Sequence, residues 1–180
     1  LEDLLDPQLG DVIPQAGEHT NHLLRAANLL RNHFKPRRDV YVAVDMKMVW
    51  GIPGLQEPAP DIAVIQGYRP REKPPDVFDV LQEGTRPCLI LEVASPHDPE
   101  VRRIDYEDKV ELYQRAGIPE YVILDSSCSE TNDRLLLTGY RLGSDGRYQR
   151  IEPDREGYLF SETTQLRFGV DGEGRICLDP

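Results

Sequence analysis

Two acids stand where a chain that needed only to fold would place apolar side chains. Glu92 interrupts the run Leu89, Ile90, Leu91 and Val93, and Asp61 opens a second apolar run through Ile62, Val64 and Ile65. A carboxylate in such a setting must be paired, hydrogen-bonded or bound to a metal, because burying an ionised group alone is costly. Two neighbouring strands that each offer a carboxylate near the same end make an oxygen-rich site suited to a hard divalent cation, Mg2+ or Mn2+. Taken alone, Glu92 fits a salt bridge at a solvent-facing strand end equally well. Lys109 lies on the margin of a helical apolar face made by Tyr106, Val110 and Tyr113, from which an ammonium can reach back to the end of the preceding strand. Asp105 is one turn earlier on the same face, at the spacing of an i, i+4 ion pair.

The elements that must position these groups follow from periodicity. Residues 87–125 read as strand, polar connection, amphipathic helix over about 104–116, and a second strand over 121–124. Gly117 and Pro119 supply the stop between helix and strand. That order is most simply a βαβ unit with parallel strands. Upstream, Leu23, Ala27, Leu30 and Phe34 predict an amphipathic helix over 18–34, preceded by an acidic arm over 1–17. Glu18 opens this helix and reads as an exposed first-turn acid favoured by the helix dipole. His19 and His22 lack further ligands nearby and read as surface or core-edge residues. Residues 39–50 alternate as one long strand with Val40, Val42, Val44, Met46 and Met48 on one face. Asp45 then falls on the other face, as an accessory acid beside Asp61 or as a partner of Lys47 or an arginine. Residues 66–86 form a polar excursion with a short helix over 76–83. Beyond Asp125 the strands 134–142, 148–152 and 166–170 predict a β meander.

The ordered set of residues resembles a known family. A Pro-Asp pair at Pro60-Asp61 followed by Glu92 in an apolar strand is similar to the PD-(D/E)XK nuclease superfamily, although the place of its lysine holds Ala94. The run EVASP followed by DYEDKVELYQRAGIPEYVILD resembles the Uma-two restriction endonuclease family, in which the lysine has moved from strand to helix. The spacing of Glu92, Ser95, Lys109, Tyr113, Gly117, Glu120, Tyr121 and Asp125 carries the resemblance, which extends from about His19 to Phe168. It implies an α/β, restriction-endonuclease-like core of order αβββαβ, a mixed central sheet flanked by helices, with the β meander at its C-terminal side. Residues 18–180 would form one such domain. It further implies catalytic Asp61, Glu92 and Lys109, and a Mg2+ or Mn2+ ion held by Asp61, Glu92 and the Val93 carbonyl. Glu18, Asp45 and Asp105 would be accessory, DNA the substrate, and a homodimer the cutting unit.

Composition bounds these expectations. No apolar run approaches the length of a membrane helix, and Cys88, Cys128 and Cys177 are odd in number and far apart, which suits a reducing cytoplasm and no zinc site. The net charge of -11 is awkward for a protein that must neutralise phosphates. Arg102 and Arg103 offer a local basic groove, whereas Arg69, Arg71 and Lys73 read better as a solvated loop. Three functions therefore remain open: a metal-dependent DNA endonuclease, a nuclease-fold interaction module without cleavage, and a metal-dependent hydrolase of another phosphoester.

Overall fold

The computed structural model of the protein describes residues 13–68, 75–94, 103–125 and 135–180, with side chains from His19 onward. Residues 1–12 of the expected arm, Arg69, Arg71, Lys73, Ser95, Arg102 and Cys128 lie outside the described residues, as does the side chain of Glu18.

Helix α1, Ile13–Phe34, begins inside the stretch read as an arm. Its buried stripe of Leu23, Ala26, Ala27, Leu30 and Phe34 recurs at the three- and four-residue spacing that lays one face on a core. A six-stranded sheet follows in the order β1 (Val40–Val44), β3 (Ile62–Gln66), β5 (Pro87–Ala94), β6 (Glu120–Asp125), β7 (Leu136–Leu142) and β8 (Tyr148–Ile151). β5 runs parallel to β6, with Leu89 opposite Glu120 and Ala94 opposite Asp125, and antiparallel to β3. The expected βαβ unit is therefore present, and α1, β1, β3, β5, the intervening helix and β6 give the αβββαβ order. Central position explains why β5 and β6 read as nearly continuous apolar runs: both faces are covered. Leu89, Leu91 and Val93 join the core shared with α1, while Ile90 and Ala94 join the opposite core.

The expected single strand over 39–50 is two strands. Asp45 adopts a left-handed backbone, φ 49°, and the chain resumes as β2 (Lys47–Val49) in a separate two-stranded sheet. β2 pairs in parallel with β4 (Val77–Asp79). The turn reverses the face assignment: Val42 packs in the α1 core, but Met46 and Met48 pack in the other. The predicted helix over 76–83 shrinks to α2 (Val80–Glu83), because residues 77–79 are spent on β4. Asp79 caps it, accepting hydrogen bonds from the amides of Leu81 and Gln82. Among the described residues at the C-terminal side, β7 and β8 extend the main sheet. β9 (Leu159–Ser161), β10 (Leu166–Val170) and β11 (Ile176–Asp179) form a three-stranded sheet whose Leu159, Leu166, Phe168 and Ile176 fill the α1 core. No described helix is long and apolar enough to cross a membrane.

Candidate active site

The helix between β5 and β6 begins with an unusual turn. Residues Ile104–Asp108 are π-helical, with the Lys109 amide donating to the Ile104 carbonyl, and only then does α3 (Lys109–Arg115) continue as an α-helix. Such insertions of one extra residue into a turn cluster at functional sites. Asp105 and Tyr106 lie in this turn and Lys109 closes it. Gly117, φ 69°, ends the helix with the left-handed cap expected of it, and the Ile118 amide returns to the Tyr113 carbonyl.

These elements bring the three expected catalytic residues to one end of the sheet. The Glu92 side chain is 2% exposed and lies on the α3 face of β5; its Oε1 is 3.1 Å from Lys109 Nζ and accepts a 2.7 Å hydrogen bond from the Tyr113 hydroxyl. Its Oε2 accepts from the Asp61 amide at 3.2 Å. Asp61 sits just before β3, and its Oδ2 accepts from the Val93 amide at 2.7 Å. Each acid thus accepts from an amide on the other's strand segment, Glu92 from Asp61 and Asp61 from Val93. Lys109 Nζ is also 2.7 Å from Asp105 Oδ1, an ion pair without the alignment of a good hydrogen bond.

Burial dominates the electrostatics. Desolvation raises the Glu92 carboxyl from 4.5 to about 7, against the pull of Lys109 and with the repulsion of Asp61 adding to it. Burial also raises Asp105, again opposed by Lys109. Desolvation pulls Lys109 down, but Glu92 and Asp105 outweigh it and leave its pKa raised. The ammonium therefore stays charged, and Glu92 is the group left near its titration point at neutral pH.

The accessory residues separate. Asp105 joins the cluster through Lys109. Asp45 reaches Asp61 through the backbone alone, its amide donating to the Asp61 carbonyl at 3.2 Å, while its side chain is exposed. Among the described residues, no hydrogen bond or ion pair links the Asp45 carboxylate to the cluster, because the left-handed turn points it outward; Lys47 pairs instead with Glu57 at 3.7 Å. Glu18 is on α1, one residue before the side chains described. Arg103 is held by Asp108 and Glu107 and is not directed toward the acids.

His19, read from the sequence as a surface or core-edge residue and not as a metal ligand, lies half-buried beside the cluster. Its Nε2 is 3.0 Å from the Val93 carbonyl oxygen and 3.7 Å from Asp61 Oδ2. A carbonyl only accepts, so Nε2 carries the proton in this contact. The available signal was its place in the first turns of α1, the helix that reaches this sheet end from the other face. A second unforeseen contact is Tyr106, whose hydroxyl donates to Asp125 at 3.0 Å, putting another buried acid at the ends of the parallel strands.

The donor set fits a hard cation. Asp61 Oδ1 receives no hydrogen bond from the described residues, Glu92 Oε2 has one donor, and the Val93 carbonyl follows Glu92 directly in the chain. No three His, Cys, Asp or Glu side chains among the described residues form a ready-made metal cage. Mg2+ does not need one, since it keeps several waters and binds through one or two carboxylates plus substrate phosphates.

Comparison with known proteins agrees with the fold. One solved structure, described as a "putative nuclease belonging to DUF820" from Anabaena variabilis, is similar over 83% of this chain and 74% of that one, with a TM-score of 0.59 and 16% identity. At that identity the likeness concerns the fold. No curated protein matches the sequence. Residues 3–171 match the family described as "Uma2: Putative restriction endonuclease", a span that includes every group of the cluster, and the chain belongs to that family.

Proposed function

We propose that the protein is a metal-dependent endonuclease that hydrolyses DNA phosphodiester bonds, working as a homodimer of the PD-(D/E)XK type with its lysine on the helix. The observation that supports this reading best is Glu92: a fully buried carboxylate, raised to about 7, in contact with Lys109 and one residue from the Val93 amide that donates to Asp61. Asp61, Glu92 and the Val93 carbonyl would hold Mg2+ or Mn2+, which when bound polarises a phosphate oxygen and acidifies a coordinated water.

The chain's own groups have separate tasks. Tyr113 fixes the Glu92 carboxylate through the 2.7 Å hydrogen bond, and His19 fixes the Val93 carbonyl. Asp105 holds the Lys109 ammonium one helical turn away, so that its charge is directed at the sheet end where the phosphate would lie. From there Lys109 orients the attacking water or offsets charge on the pentavalent phosphorus. Glu92 must surrender its proton before it can ligate a metal, which makes loading more favourable above neutral pH.

A second reading has its own support. Glu92, Lys109, Asp105 and Tyr113 also form a closed network that would stabilise a non-cleaving interaction module, and the net charge of -11 favours it. Nicking of supercoiled plasmid in Mg2+ and Mn2+ distinguishes the two, with Glu92→Ala and Lys109→Ala prepared alongside. The nuclease reading expects cleavage by the parent and none by either variant. Cleavage that survives in both variants, or a parent inert across metals and low salt, overturns it.

A further inference from the structure

The chain carries 32 acids, yet residues 19–38 contain none. The same stretch holds five of the 21 lysines and arginines and three of the four histidines. It comprises α1 from His19 onward and the turn into β1. The helix buries Leu23, Ala26, Ala27, Leu30 and Phe34, so the opposite face is the exposed one. Thr20, Asn21, Asn28, Arg31 and Lys35 lie exposed along it, and Arg37 and Arg38 continue it through the turn.

Unlike Arg147, Arg150 and Arg155, which are exposed in a stretch that also holds Asp145, Glu152, Asp154 and Glu156, the cations of residues 19–38 have no acid among them in sequence. Arg103, Arg141, Arg167 and Arg175 are each engaged by acids. On α1, Arg25 is turned inward to the Ile176 carbonyl and Asp171. Arg37 pairs with Asp39 at 2.8 Å, but among the described residues Arg31, Lys35 and Arg38 make no ion pair. Arg31 reaches over the edge strand β1, 3.5 Å from the Val42 carbonyl. The track begins at the site, where His19 touches Val93, and runs from Thr20 to Phe34 over roughly 21 Å, at 1.5 Å per residue. That is about six phosphate steps along one DNA strand.

We propose that the exposed face of α1 and the 35–38 turn form the track for the phosphate backbone of the DNA cut at the Glu92 site. The proposal rests on the nuclease reading and deepens it. Neutral amides, a hydroxyl and the half-exposed Leu24 line the part nearest the acids, where fixed cations would compete for Glu92 and Asp61. Arg31, Lys35 and Arg38 supply the charge at the far end. An acidic chain thereby meets a polyanion on a long segment from which acids are excluded.

The test is fluorescence anisotropy of a labelled 24-base-pair duplex titrated with the full chain in EDTA, at salt from 25 to 200 mM. The variant Arg31→Gln/Lys35→Gln/Arg38→Gln removes three exposed charges; Arg147→Gln/Arg150→Gln, exposed around β8, is the control, and thermal melts establish that both fold. Each phosphate left without its cation reduces the slope of log K against log salt by about 0.9, so the triple variant is expected to lose about 2.7 of slope and at least tenfold in affinity at low salt. The control pair is expected to keep the parent's slope. Parental binding in the triple variant, or an equal loss in the control pair, overturns the track and leaves the nuclease reading intact. A parent that does not bind duplex at the lowest salt overturns both.

Discussion

Replacing Glu92 by Gln isolates the most heavily perturbed acid of the site by an effect on stability. A carboxyl raised from 4.5 to about 7 holds its proton more tightly in the folded protein than in the unfolded chain. Between those values the folded state binds more protons, so stability falls as pH rises through the window and the loss is complete above about 7. At 1.36 kcal/mol per pH unit, the ionisation of Glu92 costs the folded state about 3 kcal/mol. Asp105, also raised, adds in the same direction. The lowered surface acids Asp154 and Asp171 act with opposite sign, but their stabilisation is lost only as pH falls below the ordinary aspartate range. Urea unfolding in EDTA from pH 5 to 8 covers most of this window and should show the parent losing roughly 2 to 3 kcal/mol, which at about 2 kcal/mol per molar is about 1.2 M in midpoint. Glu92→Gln has no proton to lose and should flatten most of that slope. A parent whose stability is level or rises across the window, or a variant with the parent's slope, would refute the assignment of Glu92 as a buried, under-compensated acid.

Further expectations concern its neighbours. Tyr113→Phe keeps the ring packed against Trp50 and Tyr121 but removes the hydrogen bond to Glu92; it should cost about 1.5–3 kcal/mol at pH 8, less at pH 5, measured by the same unfolding curves. Millimolar Mg2+ should raise the melting temperature of the parent, by the equivalent of about 2.7 kcal/mol at a hundredfold excess over Kd, and the rise should shrink below pH 7; calorimetric melts check this, and an unchanged rise in Glu92→Ala would count against the site. Glu120→Ala should destabilise by about 3–5 kcal/mol, because it strands Arg141 and the 161–163 turn; unfolding followed by circular dichroism checks this, and a cost below about 1 kcal/mol would refute it.

The chemistry of the site was legible because it violated the pattern around it. An acid within Leu89 to Val93 has few explanations, and Asp61 and Lys109 stand at spacings that only a β3–β5 pair and a crossover helix bring together. Registers and turns were less legible. Alternation continues through residues 40–48 as though the strand were unbroken, and nothing in the residue types announces that one left-handed residue at Asp45 moves Met46 and Met48 to the other core. The π-turn hides for a similar reason, since Asp105 and Lys109 read as an ordinary i, i+4 pair. β9 and β11 are too short for periodicity to detect, and their pairing with β10 depends on turns. His19 was undervalued because its partner is a backbone carbonyl 74 residues away, a contact for which side-chain spacing gives no sign.

Two buried glutamates in adjacent strands show what the fold does with a carboxylate that it needs only for structure. Glu120 accepts from Arg141, from the hydroxyls of Ser161 and Thr163, and from the amides of Glu162 and Thr163; these five donors stitch the C-terminal strands to β6. Both oxygens are saturated, and no room remains for a cation. Glu92 is nearly as buried but has Lys109, Tyr113 and one amide, while Asp61 nearby keeps an oxygen without a hydrogen bond from the described residues. A chain able to surround Glu120 so fully could have done the same for Glu92, or replaced it by leucine at a gain in stability. Retaining an acid that costs the fold energy whenever it ionises is the expected signature of a group whose remaining partner comes from solution, and two carboxylates and a carbonyl have the chemistry to take a divalent cation, as the proposed nuclease reading requires.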